Sequence, residues 1–544
     1  MYKNAPYIEI DSEHNHCLSG WTAITKELKS AIAKIDKKKV VIVVECHHGT
    51  FEEVNFNALK KGLKPNACCK SSHIFKEKDH IQQMVEARLG QGHYTGLSIE
   101  DYFDPQKKEA LQSNIDFIDE GVILIFGIGA SLIWEADLLL YADMSQWEIQ
   151  QRFKRHDVDN IGLRPSHHPF DYQYLWAFFN DWPLCHQIRK TVLPTCDYYL
   201  ETNNWAKPKL VSSPFLRSGL QKATQQPFRL APFFDPLLWD KPENVPAEEN
   251  NFDWCFNCMP DEDNLLFKTG DILFEVPLLS LIACYPNRFL GDSVVQLFGD
   301  HFPIYLDFID TQETGKTNYR LLPPNARAQC PYEQLYYFLE AGEKSKIRIG
   351  HFESKLNGNS KDNALKFSSQ NLRVSQHDFI FIPGDTPIQV GEQVIALFIS
   401  NISNRLLLDI KPKQYLKSNG QDMPKIASAG VKAAPPMVHH LYEGPTQQSK
   451  QEPLLTDQLQ QLRVTRIWFD RRLEQEHQPQ IQILNLIQGD NVSIYSIKEQ
   501  FPPQLIKHGE TIIIPADAGA YGLEPNSPAD EPFAILKVEV LTDA

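Results

Sequence analysis

Two short segments carry side chains that could bind phosphate. The first, ECHHGTFEE at residues 45–53, follows an apolar run and contains Gly49 and Thr50 just before a predicted helix. A phosphate-binding loop of the GxxxxGK[ST] type holds phosphates with backbone amides and reaches phosphate and magnesium with a lysine and a hydroxyl. Gly49 and Thr50 could be the remainder of such a loop, although its lysine is missing. The alternative is a strand-to-helix turn that binds nothing.

The second segment, SQWEIQQRFKRHD at residues 145–157, places Arg152 and Arg155 on one predicted helix. Guanidinium groups donate paired hydrogen bonds to phosphate, so both arginines are candidates for a phosphate contact. The competing interpretation is a pair of solvent-exposed side chains on a polar helix face. His47 and His48 are candidates for a small anion site at the N-terminus of the helix that follows them.

Other reactive residue types lack the spacing that chemistry requires. Cys255 and Cys258 form a lone CxxC without a second pair, which favours buried thiols over a zinc or redox site. The histidine doublets at 47–48, 167–168 and 439–440 direct neighbouring side chains apart on any regular element. The segment GIGAS at 127–131 is an incomplete dinucleotide fingerprint. These patterns predict neither a structural disulfide nor a metal centre.

Alternating strands and helices must position the phosphate candidates. Between residues 37 and 205, apolar runs such as 40–44 alternate with helical segments, which predicts an α/β domain with a parallel sheet. Ligands of such sheets bind at the carboxyl ends of the strands. After about residue 215, short apolar runs around Gly-Asp or Gly-Glu turns predict small antiparallel barrels or jelly rolls. We therefore divide the chain into an α/β domain at 1–215, a first barrel at 216–428, and a linker with a second barrel at 429–544.

The composition limits the range of partners. The chain has 544 residues, with 54 basic and 69 acidic side chains and a formal net charge of −15. No cluster of Lys and Arg is dense enough to neutralise a row of phosphates, so nucleic acid is not an expected partner. The most apolar stretch, residues 121–134, is too short to span a bilayer, and the N-terminus has no secretory signal pattern. We expect a cytoplasmic protein without a membrane partner.

Several segments resemble one enzyme family, both in sequence and in order. They are FDWCFNCMPDEDNLL at 252–266, FPIYLDFIDT at 302–311, YEQLYYFLEAG at 332–342, HDFIFIPGDTPIQVG at 377–391 and ETIIIPADAGAY at 510–521. With these segments the chain resembles the class I mannose-6-phosphate isomerases of the cupin superfamily in their long bacterial form. The resemblance implies two cupin (jelly-roll) barrels. It also implies a preceding domain similar to uridine kinase and other P-loop nucleoside kinases, in a degenerate form.

The resemblance also implies where a catalytic metal would lie. Isomerases of this family are understood to hold a divalent metal, usually zinc, with Gln, His, Glu and a second His. The four matching positions hold Arg320, Leu322, Gln334 and Ile388. Leucine and isoleucine have no donor atom, and a guanidinium stays protonated and repels a cation. We therefore expect neither zinc nor another cofactor.

The altered pocket could serve a different purpose. Arg320, Glu333, Gln334 and Asp385 are candidates for a ligand pocket in which Arg320 meets a sugar phosphate or a carboxylate. Alternatively, Arg320 pairs with Glu333 or Asp385 and only fills the space. We expect a noncatalytic relative of the isomerase that binds a carbohydrate or an unidentified protein partner. An active mannose-6-phosphate/fructose-6-phosphate isomerase with unrecognised metal ligands stays open as an alternative, and a phosphotransferase is a third.

Overall fold

The structure of the protein is a computed structural model. It describes residues 6–10, 17–89, 95–163, 168–231, 257–260, 262–299, 301–312, 315–321, 333–354, 365–383, 386–401, 408–410, 437–439, 449–454, 461–476, 479–526 and 532–542. Leu322 and Asp385, two of the candidate site residues named above, lie outside these described residues.

A seven-stranded sheet forms the centre of the N-terminal domain. The first strand of the chain, β1 (Tyr7–Glu9), belongs to another sheet, and the seven strands follow it: β2 (Cys17–Ser19), β3 (Lys39–Cys46), β4 (Ala67–Lys70), β5 (Gly121–Gly127), β6 (Leu138–Asp143), β7 (Tyr198–Glu201) and β8 (Lys209–Ser212). Their order across the sheet is β2-β8-β7-β6-β3-β5-β4. Strands β3 to β7 run parallel to one another, and β8 and β2 add an antiparallel edge beside β7. The carboxyl ends of β3, β4 and β5 therefore meet at one edge.

Helices cover both faces of this sheet. They are α1 (Trp21–Ala33), α2 (Glu52–Leu63), α3 (Lys78–Leu89), α4 (Pro105–Asp116), α5 (Gln146–Lys154), α6 (Phe170–Trp176), α7 (Trp182–Val192) and α8 (Ser213–Thr224), with a π-helical segment, Ala177–Asp181, between α6 and α7. Ile42 and Val44 of β3 pack in one apolar layer with Leu28 of α1 and Leu59 of α2. Val43 belongs to the core on the opposite face. Burial on both faces explains the continuous apolar run in β3.

The chain then forms a small sheet, three short helices and a first β-sandwich. These elements are β9 (Asn264–Thr269), β10 (Ile272–Pro277), α9 (Leu279–Cys284), α10 (Pro286–Leu290), α11 (Asp292–Phe298), β11 (Tyr305–Asp310), β12 (Tyr319–Leu321), β13 (Glu333–Ala341), β14 (Lys346–Ser354), β15 (Leu365–Arg373), β16 (Phe379–Pro383), β17 (Ile388–Val390), β18 (Val394–Ser400), β19 (Leu408–Ile410) and β20 (Met437–His439). The small sheet has the order β1-β9-β10. The sandwich consists of two antiparallel sheets with the orders β11-β18-β13-β16-β20 and β15-β14-β17-β12-β19.

The core of the first β-sandwich lies between its two sheets. One sheet contributes Ile309, Phe338 and Phe398, and the other contributes Ile349 and Ile388. The residues that alternate with them along the strands point away from this core. In the first sheet these residues include Leu335 and Leu397, which are buried in a separate apolar cluster, so that sheet is covered on both faces. The residues that occupy the inner face are therefore fixed by strand register.

A second β-sandwich forms the C-terminal part of the chain. Its strands are β21 (Lys450–Pro453), β22 (Leu462–Phe469), β23 (Leu473–Gln475), β24 (Gln482–Gln488), β25 (Asn491–Ser496), β26 (Gln504–Lys507), β27 (Thr511–Ile514), β28 (Tyr521–Pro525) and β29 (Phe533–Val540). The sheet orders are β21-β22-β29-β24-β27 and β23-β28-β25-β26. Leu484 and Ile535 of the first sheet share one core with Ile494 and Leu523 of the second.

The predicted combination of α/β and antiparallel β structure is confirmed. The boundaries at 215 and 428 stay predictions, because segments from different parts of the chain pair with each other: β1 runs parallel to β9, and Phe228 bridges to Ile513. The cysteines of the described ranges are free thiols. No helix of the described residues combines the length and apolar character needed to cross a membrane.

Candidate functional site

Arg320 and Ile388, two of the four positions matched to metal ligands, face each other in the first β-sandwich. Arg320 of β12 pairs directly with Ile388 of β17 in antiparallel register, and Ile388 pairs on its other side with Ile349 of β14. Directly opposed residues of antiparallel strands project from the same face. Because Ile349 and Ile388 belong to the core between the sheets, Arg320 projects from the inner face as well.

Three residues paired across neighbouring strands of the facing sheet lie opposite Arg320, and two of them are polar. Asp307 of β11 pairs with Phe398 of β18, which pairs with Tyr336 of β13. Asp307 Oδ2 lies 3.9 Å from Arg320 Nη1, and the two side chains are 18% and 31% exposed. The ion pair therefore spans the two sheets where solvent still reaches it.

Gln334 lies two residues before Tyr336 on the same inner face. The Tyr336 hydroxyl donates to Gln334 Oε1 at 3.4 Å, and Gln334 Nε2 donates to the Thr386 carbonyl at 3.3 Å. Burial raises the pKa of Tyr336, Arg320 acts to lower it, and Asp307 acts to raise it. Both charged groups therefore lie close enough to the phenol to affect its ionisation. We call Asp307, Arg320, Gln334, Tyr336 and Thr386 the sandwich site.

Glu333, which precedes Gln334, projects from the opposite face of β13. Its carboxylate accepts hydrogen bonds from the backbone N–H groups of Gln461 and Leu462, at the start of the second β-sandwich. Burial raises the pKa of Glu333 to about 7. The structure thus brings Arg320, Gln334 and Ile388 together and places Glu333 in a different environment. Of the two partners predicted for Arg320, Glu333 lies on the other face of β13 and Asp385 lies outside the described residues, while Asp307 approaches Arg320 from the facing sheet.

The described side chains of the sandwich site do not fit a divalent metal. A guanidinium occupies one matched position and a core isoleucine another, and only Gln334 among the described matched residues offers an oxygen ligand. No group of three or more His, Cys, Asp or Glu side chains within the described ranges could hold a metal ion. The partly exposed guanidinium of Arg320 is the group of the site whose chemistry suits an anion.

A cleft lies at the carboxyl ends of β3, β4 and β5 in the N-terminal domain. It has a volume of about 440 Å³, and Gly49 and Thr50 line it together with His48. We call it the N-terminal cleft. Its position is the one expected for a ligand of a parallel sheet. His47 does not line it, because its ring is buried and its Nδ1 lies 3.0 Å from the His48 carbonyl oxygen. Burial and then Arg189 lower the pKa of His47 well below its usual value.

Arg152 lies beneath the loop that contains Gly49. Its Nη1 donates to the Gly49 carbonyl at 2.8 Å, and its Nη2 donates to the carbonyls of Thr202 and Asn203. Its Nε donates to Glu148 at 2.9 Å, and the side chain is fully buried. The expected solvent-exposed helix face is therefore wrong for Arg152.

Arg155 does occupy an exposed position, with 51% of its side chain accessible and ion pairs to Asp157 and Glu148. In the GIGAS segment, the backbone N–H groups of Gly129 and Ser131 donate to the Glu45 carboxylate at 2.6 and 2.8 Å, so a side chain of the protein takes up these donors. Burial raises the pKa of Glu45 to about 7. Phosphate binding by Gly49, Thr50, Arg152 and Arg155 stays a prediction.

Sequence reasoning missed three members of the sandwich site: Asp307, Tyr336 and Thr386. Asp307 was visible only as part of the family-like string FPIYLDFIDT. The alternation of Tyr305, Asp307 and Ile309 along one strand was the signal that could have placed it on the inner face.

Comparisons with known proteins match different parts of the chain. A family model described as Domain of unknown function (DUF8485) matches residues 20–225. No curated protein matches the chain in sequence. Among solved structures, the chain is similar to the mannose 6-phosphate isomerase from Bacillus subtilis, with 14% identity, a TM-score of 0.38 and coverage of 58% of this chain and 99% of that one.

Two further structures are similar over a smaller share of the chain. A cupin 2 conserved barrel domain protein from Leptotrichia buccalis has 13% identity and a TM-score of 0.24, with coverage of 44% of this chain and 84% of that one. An oxalate decarboxylase from Lactobacillus farciminis has 12% identity and a TM-score of 0.29, with coverage of 44% and 76%. Identities and TM-scores this low say nothing about function, which therefore has to be argued from the residues of the site.

Proposed function

We propose that this protein is a noncatalytic relative of the class I mannose-6-phosphate isomerases and binds a sugar phosphate at the sandwich site. The observation that carries the proposal is the position of Arg320 on the inner face of the first β-sandwich, directly opposite Ile388. A permanent positive charge stands there at the position matched to a metal ligand. The expected ligand is therefore anionic.

The surroundings of Arg320 support recognition of a small carbohydrate anion. Its side chain is partly exposed, so an anion can approach it, while the neighbouring Ile388 and Phe398 are buried and reduce the local dielectric response. A guanidinium donates two parallel hydrogen bonds to a phosphate. Gln334 and Tyr336 are buried beneath this position and hydrogen-bonded to each other, so they form a polar floor under Arg320.

The same surroundings oppose metal-dependent isomerisation. An arginine stays protonated at any physiological pH and repels a divalent cation, and Ile388 provides no donor atom. Without a metal to polarise the sugar, the residues of the sandwich site supply a binding function and no Lewis acid.

The decisive experiment compares two arginines of one sheet. Arg320 faces inward, whereas Arg348 faces outward and donates to Gln389 Oε1 at 2.9 Å. We expect mannose 6-phosphate, titrated calorimetrically, to bind Arg320→Gln about 10- to 100-fold more weakly than the wild type, because a charge-assisted contact is lost. The control variant Arg348→Gln should retain wild-type affinity.

Measurements of activity and metal content test the proposal that the protein is noncatalytic. The purified protein is assayed for conversion of mannose 6-phosphate to fructose 6-phosphate with added zinc, and its metal content is measured by mass spectrometry. Turnover together with stoichiometric zinc would establish an active isomerase and overturn the proposal. Equal affinity of the wild type and Arg320→Gln for mannose 6-phosphate would overturn the assigned site.

A further inference from the structure

A short segment of the chain covers the outer edge of β11, the strand that carries Asp307. β11 is the first strand in the order of its sheet, so β18 pairs with only one of its edges. At the other edge, Cys258 exchanges two backbone hydrogen bonds with Leu306, at 2.9 and 3.0 Å. The Phe308 N–H donates to Asn257 Oδ1 at 2.8 Å. We call this segment, residues 257–260 and 262–263, the strap. Asp307 therefore lies between two residues that the strap holds.

Hydrogen bonds within the strap close it into a compact turn. The backbone N–H groups of Glu262 and Asp263 donate to the Met259 carbonyl at 2.8 Å, and the Met259 N–H donates to Asp263 Oδ2 at 2.6 Å. Cys258, Met259 and Glu262 are buried. Because the turn is closed and packed, a shift of Glu262 also shifts the residues that pair with β11.

Tyr174 of α6 joins the strap to the N-terminal domain. Its hydroxyl donates to Glu262 Oε1 at 3.3 Å, and both side chains are buried. The Tyr174 ring packs edge-on against Trp182 of α7, with 5.1 Å between centroids. It belongs to the same apolar cluster as the inner residues of the first β-sandwich. A buried carboxylate needs hydrogen-bond donors, so the Tyr174 hydroxyl stabilises the position of Glu262.

We propose that Tyr174 is a positioning residue for the sandwich site. Through Glu262 and the strap it holds Asp307 beside Arg320, so the N-terminal domain limits the affinity of the site for an anion. This inference rests on the proposed function of the sandwich site. Asp307 competes with an anionic ligand for Arg320 and repels that ligand. Because a firmly held β11 keeps Asp307 in place, loosening the strap should strengthen anion binding.

Hydrogen exchange of the full chain without ligand tests the hold of the strap on β11. Tyr174→Phe keeps the ring beside Trp182 and removes only the hydroxyl. Amide exchange in peptides covering residues 304–310 should be about threefold faster than in the wild type or more, because backbone groups paired with the strap lose protection. Tyr172→Phe is the matched control, since Tyr172 lies on the same helix with an exposed side chain, and it should exchange like the wild type. Unchanged exchange in Tyr174→Phe would overturn the positioning role.

Calorimetric titration with mannose 6-phosphate tests whether the strap acts through Asp307. Tyr174→Phe should bind about twofold more tightly than the wild type, and the gain should not exceed that of Asp307→Asn, which lacks the competing charge altogether. In the double variant, Tyr174→Phe should add nothing to the effect of Asp307→Asn. A purely structural role of Tyr174 would change the affinity equally in both backgrounds. That result, or weaker binding by Tyr174→Phe, would overturn the proposal.

The two measurements separate a failure of this proposal from a failure of the proposed function. If the wild type does not bind mannose 6-phosphate, the proposed function is overturned and the effect on affinity falls with it, while faster exchange in Tyr174→Phe still establishes that the strap holds β11. If the wild type binds and Tyr174→Phe has the same affinity, the sandwich site stands and the positioning role of Tyr174 is overturned.

Discussion

Arg320 and Ile388 oppose each other in register on neighbouring antiparallel strands, so a charged and an apolar side chain share the inner face of one sheet. A guanidinium in such a position needs a counter-charge or solvent. The structure supplies both, because Asp307 approaches from the facing sheet and the pair stays partly exposed. The ion pair is thus the feature that a ligand would have to join or replace.

Removal of the Asp307 charge should strengthen anion binding at the sandwich site. In Asp307→Asn, Arg320 loses its counter-charge and the incoming phosphate loses a repulsive neighbour. A partly exposed pair of this kind contributes about 0.5–1 kcal/mol, so we expect about two- to fivefold tighter binding of mannose 6-phosphate by calorimetry. The gain should shrink at high ionic strength.

Asp310→Asn is the matched control for this experiment, because Asp310 lies on the same strand and accepts from the Gln312 amide outside the site. It should leave the affinity unchanged. Weaker binding by Asp307→Asn would show that the carboxylate itself holds the ligand, and it would contradict the electrostatic argument.

Glu333 should make the stability of the protein dependent on pH. Its folded pKa of about 7 is above the ordinary value of 4.5, because the carboxyl group is buried. The folded state therefore binds a proton that the unfolded state has released, and stability falls as pH rises through this window. The difference corresponds to about 3 kcal/mol at most. The stabilisation from the Glu333 proton is complete below the ordinary pKa of 4.5 and is lost as pH rises to about 7.

Chemical unfolding at about pH 5 and about pH 8 measures this effect. The wild type should lose more stability between the two values than Glu333→Gln, which has no proton to release. Glu340→Gln, at an exposed position of the same strand, should follow the wild-type pH dependence. Parallel pH curves for the wild type and Glu333→Gln would rule out this role of the buried carboxyl group.

The sequence predicted those features that depend on local periodicity. The apolar run in β3 indicated a strand covered on both faces, and the structure buries Ile42 and Val43 in different layers. Alternation along β13 is likewise enough to place Glu333 and Gln334 on opposite faces, although the predicted ligand pocket grouped them together. A local pattern was sufficient in both cases.

Features that depend on contacts between distant segments could not be predicted. The partners of Arg152 are carbonyl groups at positions 49, 202 and 203, which no helical periodicity reveals. The pair of Arg320 and Asp307 joins two different sheets, and its existence depends on how those sheets face each other. Likewise, Asp181 reaches His48 only through the π-helical segment between α6 and α7.

Arg152 and Arg155 should differ sharply in their contribution to stability. Arg152→Ala removes the donor to three backbone carbonyls and the buried one of the two partners of Glu148, which should cost about 3–5 kcal/mol. Arg155→Ala removes ion pairs of a half-exposed side chain to Asp157 and Glu148, and it should cost about 1 kcal/mol or less because Glu148 keeps Arg152 as a partner. Denaturant unfolding of the two variants measures the contrast. Equal, small losses would indicate that Arg152 is free for another role.

Gly49 should be required for packing, whether or not the N-terminal cleft is occupied. Its φ of 89° disfavours any side chain, and an added Cβ would lie 2.6 Å from Ile149 Cγ1. Gly20 is the matched control, because its φ is 83° and nothing lies within 4 Å of an added Cβ. Gly20→Ala should show only the backbone strain, about 1–3 kcal/mol, and Gly49→Ala should cost about 1–3 kcal/mol more.

A double-mutant cycle identifies the source of the additional cost in Gly49→Ala. If the added methyl group collides with Ile149, then Ile149→Ala should recover part of the loss, and the double variant should be more stable than the sum of the single effects predicts. Unfolding free energies of the four proteins give the coupling directly. Strict additivity, or equal losses in Gly49→Ala and Gly20→Ala, would contradict the collision and leave backbone strain as the cause, because strain does not depend on the size of the neighbouring side chain.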